Sequence, residues 1–257
     1  MALRDKVFNA IMDGRRRVGL PPPTLSLDSF FIDPEEAKRR FAAISGGLGE
    51  VFFAHKGRTV HKWLHYLSAY ERHFAAYRDT PVRMLEIGVD KGGSLEMWRK
   101  YFGINATIFG IDLNPDCASR VTPPNQVRIG SQADPQFLRS VVDEMGTPDI
   151  ILDDGSHFAR HQRISFDTLF PLLREGGLYL IEDLHTSYFY GPYEGGYRRK
   201  GTAVERTKDI IDDMHAWYHR KPTTTPAKYH VGAIHVYDSI IVLEKRKVER
   251  PCVTKIG

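Results

Sequence analysis

Cysteine is scarce in this chain of 257 residues: Cys117 and Cys252 are the only two, far apart and without CxxC spacing. That pattern suggests neither a disulfide framework nor a zinc knuckle, and a reducing cytoplasm fits it. Long apolar runs are missing as well. No stretch approaches the roughly 18 residues that cross a bilayer, and the opening MALRDKVFNAIMDGRRRVGL lacks the apolar core of a signal peptide, so no membrane association is expected. Neither sign of charge dominates, since the formal net charge is +4 and the basic residues gather at 15–17, 198–200 and 245–247. Nucleic acid is therefore not an expected partner. Internal repeats and low-complexity segments are also lacking.

What the chain does contain is enough apolar sequence, 42% by the broad count, for one large α/β domain with an appendage. Residues 1 to about 24 can form a short amphipathic helix with Val7, Ile11 and Met12 on one side, stopped by Pro21, Pro22 and Pro23. This arm is a candidate homo-oligomer contact. A helix is expected over 34–43, where Asp33 caps and Pro34 opens the first turn. Apolar and aromatic residues at 63, 66, 67, 70, 74 and 77 predict a helix across 61–78. Strand and helix patterns then alternate: strands at 82–87, 107–113, 127–129, 149–153 and 178–182, and helices at 94–102, 135–145, 160–173 and 204–218. A closing antiparallel hairpin spans 231–237 and 239–244. This order predicts a doubly wound, mostly parallel sheet with helices on both faces and an N-terminal helical extension. The expected divisions are an arm and extension over 1–57, the catalytic domain over 58–246 and a tail over 247–257.

In such sheets ligands bind beyond the carboxyl ends of the strands. The first strand ends in Glu86-Ile-Gly-Val-Asp-Lys-Gly-Gly-Ser94, where Gly88 and Gly92 allow close approach of a ligand to backbone and a helix N-terminus supplies free amides. The glycine spacing is not the GxGxxG of a dinucleotide fold. Asp112 ends the second strand at a place where an acid can accept bonds from ribose hydroxyls, and Ser131 and Gln132 after the third strand suit the edge of an adenine.

The segment from Ile150 to Tyr190 concentrates the remaining chemistry. Asp153, Asp154 and His157 close one apolar run, and Glu182, Asp183 and His185 close the next. Asp154, Glu182 and Asp183 supply carboxylate oxygens from adjacent strand ends, a set that repels itself unless a cation lies between, and hard oxygen donors favour Mg2+ over zinc. His157 can take a proton at neutral pH and is the candidate general base; bracing the helix that follows is the alternative. His185 could orient a ligand or the acceptor. Beyond it, Tyr188, Tyr190 and Tyr193 lie in a loop rich in aromatics and glycine that suits a flap over a carbohydrate.

The glycine turn, the acid ending the second strand, DDGSH at 153–157 and ED at 182–183 together resemble the class I, Rossmann-like methyltransferases that use S-adenosylmethionine. Over about 55–245 the match is nearest to the Mg-dependent actinobacterial sugar O-methyltransferases of the macrolide and rhamnosyl type. The resemblance implies that Glu86, Gly88 and Gly92 line the methionine portion of the cofactor, Asp112 the ribose, Ser131 and Gln132 the adenine side and Asp153 the amino group. It places Tyr66 near the methionine carboxylate and gives His157 the role of base. The implied reaction is methyl transfer to a hydroxyl of a sugar unit, in an antibiotic glycoside or an oligosaccharide or polysaccharide precursor. A relative of the proteins labelled cephalosporin hydroxylase and a non-catalytic cofactor-binding scaffold are the alternatives left open.

Overall fold

The computed structural model describes residues 30–191, 193–222 and 225–257. The amphipathic arm expected before residue 24, and with it the proposed contact between copies, lies outside the described residues. Helix α1 (Pro34–Phe41) begins where Asp33 Oδ1 accepts the Glu35 and Glu36 amides at 2.9 and 3.2 Å. A short helix not anticipated from sequence, α2 (Gly46–Phe53), follows it and places Leu48 in the core.

Helix α3 (Tyr66–Phe74) starts five residues later than the apolar spacing predicts, because 58–63 has no regular structure and runs as a strap over the ends of the strands. Strand β1 (Arg83–Ile87) leads through the glycine turn to α4 (Gly93–Phe102). Then come β2 (Thr107–Asp112), the short α5 (Cys117–Arg120), β3 (Gln126–Ile129), α6 (Pro135–Met145), β4 (Ile150–Asp153), α7 (Ala159–Leu169), β5 (Leu178–Ile181), α8 (Ala203–Met214) and the hairpin of β6 (Val231–Tyr237) and β7 (Ile240–Lys245).

The seven strands lie in the order β3-β2-β1-β4-β5-β7-β6, with β1 to β5 parallel and the last two antiparallel. Successive residues of a strand face opposite sides of the sheet, and here both sides are buried. Met84, Ile108, Ile150, Leu180 and Val242 pack on one face with Tyr70, Phe74, Trp98 and Phe102 from α3 and α4. Their neighbours Leu85, Phe109, Ile151, Tyr179 and Leu243 pack on the other face with Leu138, Phe166 and Phe170. This is why the central strands read as unbroken apolar runs and not as alternating ones.

The strand order reverses between β1 and β4, so a crevice opens at their carboxyl ends. The polar residues that terminate β1, β4 and β5 converge there. Among the described residues, no helix is long and apolar enough to cross a membrane.

Candidate active site

At the crevice three acids meet one lysine. Lys62 Nζ lies 2.7 Å from Asp154 Oδ2, 2.9 and 3.1 Å from the two oxygens of Glu182, and 3.6 Å from Glu86 Oε1, with its side chain only 2% exposed. Burial by itself lowers the pKa of an ammonium, but Asp154, Glu182 and Glu86 together outweigh it and hold Lys62 well above its ordinary value. Burial lifts the Glu86 carboxyl to about 7 even with Lys62 opposing it. Burial, reinforced by the Asp154 charge, likewise pushes Glu182 well above the usual carboxylate range. One ammonium among three carboxylates leaves an excess of negative charge, and Glu86 and Glu182 are correspondingly hard to ionise.

Asp183, beside this ion pair, is held from α3. Its carboxylate is met by the hydroxyl of Tyr66, 3.0 Å from Asp183 Oδ1 and equally close to the Ser239 carbonyl, while the same hydroxyl accepts the Asp183 amide at 3.2 Å. One turn further along α3, the Tyr70 hydroxyl donates to Glu182. Residues four apart share a helix face, so α3 presents two phenols to two consecutive acids. Burial first, and the adjacent carboxylates second, raise the pKa of both phenols, which therefore act as donors.

His157 closes the cluster. Its Nε2 lies 3.5 Å from Asp183 Oδ2 and 3.9 Å from Asp154 Oδ1, with the ring nine-tenths buried. The backbone at His157 and at Asp183 is left-handed, at φ 59° and 55°. Both conformations are uncommon for residues with a Cβ, and both turn the side chain into the crevice. Asp154, His157 and Asp183 each offer a ligand atom within 4.8 Å of the others.

Two cavities share this wall. The smaller, about 210 Å³, lies between the strap and the glycine turn and is lined by Gly88, Val89, Ser94, Asp154, His157 and Asp183 among others. Gly88 has φ 92°, and a Cβ there would fall 2.2 Å from the Asp154 carbonyl oxygen, so only glycine lets β1 and β4 approach at this point. The larger, about 480 Å³, is an aromatic groove with walls from Phe30, Phe31, Phe52, Phe53, Trp63 and Phe189. His157, Asp183 and His185 stand at its polar end.

No protein-family model matches the chain. Among curated proteins it is 40% identical over 213 residues to the 8-demethyl-8-(2-methoxy-alpha-L-rhamnosyl)-tetracenomycin-C 3'-O-methyltransferase of Streptomyces olivaceus, covering 78% of this chain and 54% of that protein. It is 37% identical over 208 residues to the L-olivosyl-oleandolide 3-O-methyltransferase of Streptomyces antibioticus, covering 74% of this chain and 52% of that protein. Among solved structures it superposes on the MycE methyltransferase of the mycinamycin biosynthetic pathway, in complex with Mg, SAH and mycinamycin VI, with a TM-score of 0.68 at 32% identity. That superposition covers 79% of this chain and 53% of the other. The chain is a homologue of the sugar O-methyltransferases. It spans about half the length of the curated relatives it matches, and its sheet is the class I methyltransferase sheet.

Within this methyltransferase fold several residues named from sequence are held by the protein's own groups. Tyr66 is fully buried beneath Asp183 and does not line the small cavity. Asp153 is also fully buried: Ser165 Oγ donates to it at 2.5 Å, Gln132 Nε2 at 3.2 Å and the Gly155 amide at 3.3 Å. Gln132 is thereby turned inward, and its carbonyl oxygen accepts the Ser156 amide at 2.6 Å. These residues set the end of β4. Glu86 lies fully buried under the crevice, bonded by Ser94 Oγ at 2.8 Å and drawn to Lys62.

Gly92 caps α4 with φ 84°, and Asp112 Oδ2 accepts the Val89 and Asp90 amides at 2.9 and 3.0 Å, bracing the glycine turn from the next strand. Ser131 is half-buried and its Oγ accepts the Ala133 amide at 3.1 Å. Glu182, grouped with Asp154 and Asp183 as a metal ligand from sequence, is bonded by Lys62 and Tyr70, and His157 stands beside the two aspartates. On the acceptor side His185 and Tyr193 line the groove, with His185 Nδ1 2.6 Å from Ser239 Oγ. Tyr188 and Tyr190 stand 48% and 58% exposed, outside it. The aromatic wall comes instead from Phe30, Phe31, Phe52, Phe53 and Trp63, which the sequence reading did not assign to the acceptor.

Proposed function

We propose that this protein is an S-adenosylmethionine-dependent, Mg-assisted O-methyltransferase acting on a hydroxyl of a sugar unit carried by a glycoside. The observation that carries the reading is the convergence of Asp154 Oδ1, Asp183 Oδ2 and His157 Nε2 on the wall shared by the glycine-turn cavity and the aromatic groove. A methyl donor seated over Gly88 and an acceptor seated in the groove meet at those atoms. The relatives' names, which specify methyl transfer to rhamnosyl and olivosyl groups, support the same assignment, as does the Mg and SAH bound by MycE.

The donor set fits a hard cation, because Asp154, Asp183 and the adjacent Glu182 offer carboxylate oxygens at one strand rim and carry more negative charge than Lys62 balances. A bound dication lowers the pKa of a coordinated hydroxyl and so stabilises the developing alkoxide. The chain's own residues do the rest. The groove aligns the acceptor; its hydroxyl oxygen attacks the sulfonium methyl, an O–C bond forms as the C–S bond breaks, and the bonding pair leaves on sulfur. The hydroxyl proton passes to His157 Nε2, and the Asp183 carboxylate 3.5 Å away stabilises the imidazolium. Tyr66 holds that carboxylate in place.

Binding and turnover test this reading together. S-adenosylhomocysteine should raise the unfolding temperature where NAD does not. Label from S-adenosylmethionine should appear on a hexoside hydroxyl in the presence of Mg2+ and disappear with chelator. Stabilisation by NAD alone, or transfer indifferent to chelator, would contradict it.

A further inference from the structure

The strap 58–63 joins the two halves of the site. At its start, a Cβ on Gly93 would lie 2.3 Å from the carbonyl oxygens of both Arg58 and Thr59, so the strap's backbone rests on the first turn of α4. His55 Nε2 against the Arg58 carbonyl at 2.7 Å, and the Arg58 amide donating to Glu96 Oε2 at 3.0 Å, fix that end. At its other end, Lys62 enters the acids. Between them, residues 59–63 line the small cavity, and 60–63 also line the aromatic groove.

Two physical facts set this strap apart from ordinary packing. It reaches the acids with a buried ammonium that occupies the space between Asp154 and Glu182, oxygens that suit a hard cation. In addition, the cavity it closes, about 210 Å³, is smaller than the roughly 300 Å³ at which small-molecule sites usually begin. A strap lying this close over the glycine turn narrows the way in for a nucleoside-sized cofactor.

We propose that Lys62 is a tethered cation that competes with the divalent metal for Asp154 and Glu182, so that metal binding releases the strap and opens the cofactor side of the site. In the metal-free protein Lys62 satisfies the acids and keeps the strap down. A dication carries twice the charge of the ammonium and relieves the excess that Lys62 leaves; once it binds, Lys62 loses these partners and the strap loses the ion pair that ties it to the acids. The inference rests on the metal reading above and adds to it a residue, a movement and an order of events.

The test titrates Mg2+ and Mn2+ alone into the whole protein by calorimetry and follows hydrogen exchange of 59–63 with and without metal. Lys62→Met should bind the metal at least about tenfold more tightly than the parent, and in the parent the exchange of 59–63 should speed up on metal addition. Should Lys62→Met fail to fold with its acids uncompensated, the parent's exchange still decides, with Lys62→Arg as the variant that keeps the charge and should not bind metal more tightly. Metal binding that leaves 59–63 unchanged, or that is equal or weaker in Lys62→Met, overturns the inference and leaves the metal reading standing. Absence of metal binding in both proteins overturns the two together.

Discussion

The Tyr66 hydroxyl lies 3.0 Å from Asp183 Oδ1 and also accepts the Asp183 amide, so one phenol on α3 fixes both the side chain and the left-handed backbone of an acid at the end of β5. Tyr66→Phe removes a buried donor and leaves a carboxylate and a carbonyl without it. Unfolding free energy should fall by about 1–3 kcal/mol, and kcat should fall with little change in the affinity for S-adenosylhomocysteine. Urea unfolding and calorimetric binding check the two halves of this prediction.

Gly88→Ala should abolish the close approach of β1 to β4. The added methyl would sit 2.2 Å from the Asp154 carbonyl, at a φ that alanine rarely adopts. S-adenosylhomocysteine should bind at least about tenfold more weakly, measured by calorimetry. Binding at parental affinity would mean that the cofactor does not use this turn.

The acceptor should feel the groove and not the outer flap. Phe189→Ala removes an aromatic wall beside His185 and Tyr193, and KM for a glycoside acceptor should rise by about tenfold or more. Tyr188→Ala and Tyr190→Ala, which remove exposed rings, should leave KM within about twofold.

His73 supplies a pH-dependent part of stability. Burial, helped by the charge of His235 and Arg72 and opposed by Glu244, lowers its pKa from 6.5 to about 4. The folded protein therefore binds this proton less readily than the unfolded chain, and the contribution is intact above pH 6.5 and lost as pH falls from 6.5 toward 4. His73→Asn should flatten the unfolding midpoint across that window relative to the parent, and a difference that stays constant with pH would contradict the assignment. The ring is half exposed, so the effect is screened.

Periodicity and strand-end chemistry made most of the fold legible. Parallel strands buried on both faces leave apolar runs, and glycine turns punctuate them, so every predicted strand and helix after residue 80 has its counterpart. What failed did so for tertiary reasons. The apolar spacing from Trp63 to Tyr77 is helical throughout, yet 61–63 are drawn out of the helix by the attraction of buried acids for Lys62. In the sequence Lys62 is one of 36 basic residues, and its burial depends on a strap whose path is set by contacts far away in the chain. The signal that could have found it was the requirement, read from Asp154, Glu182 and Asp183, for a cation among them; a lysine just ahead of an aromatic helix was a second candidate beside a metal. The inward turn of Asp153 and Gln132 was hidden for the same reason, since Ser165, 12 residues beyond Asp153, completes their network. The groove's aromatic wall draws on Phe30 and Phe31, just ahead of α1, and on Phe52 and Phe53 at the end of α2, segments that reach the site only through packing.

The central claim is that His157 takes the acceptor's proton at the wall between two cavities. Rates of methyl transfer from S-adenosylmethionine to a hexoside by His157→Ala, alongside its affinity for S-adenosylhomocysteine, test it most directly. The account predicts a fall in transfer of at least about a hundredfold with cofactor affinity unchanged; transfer at the parental rate would contradict it.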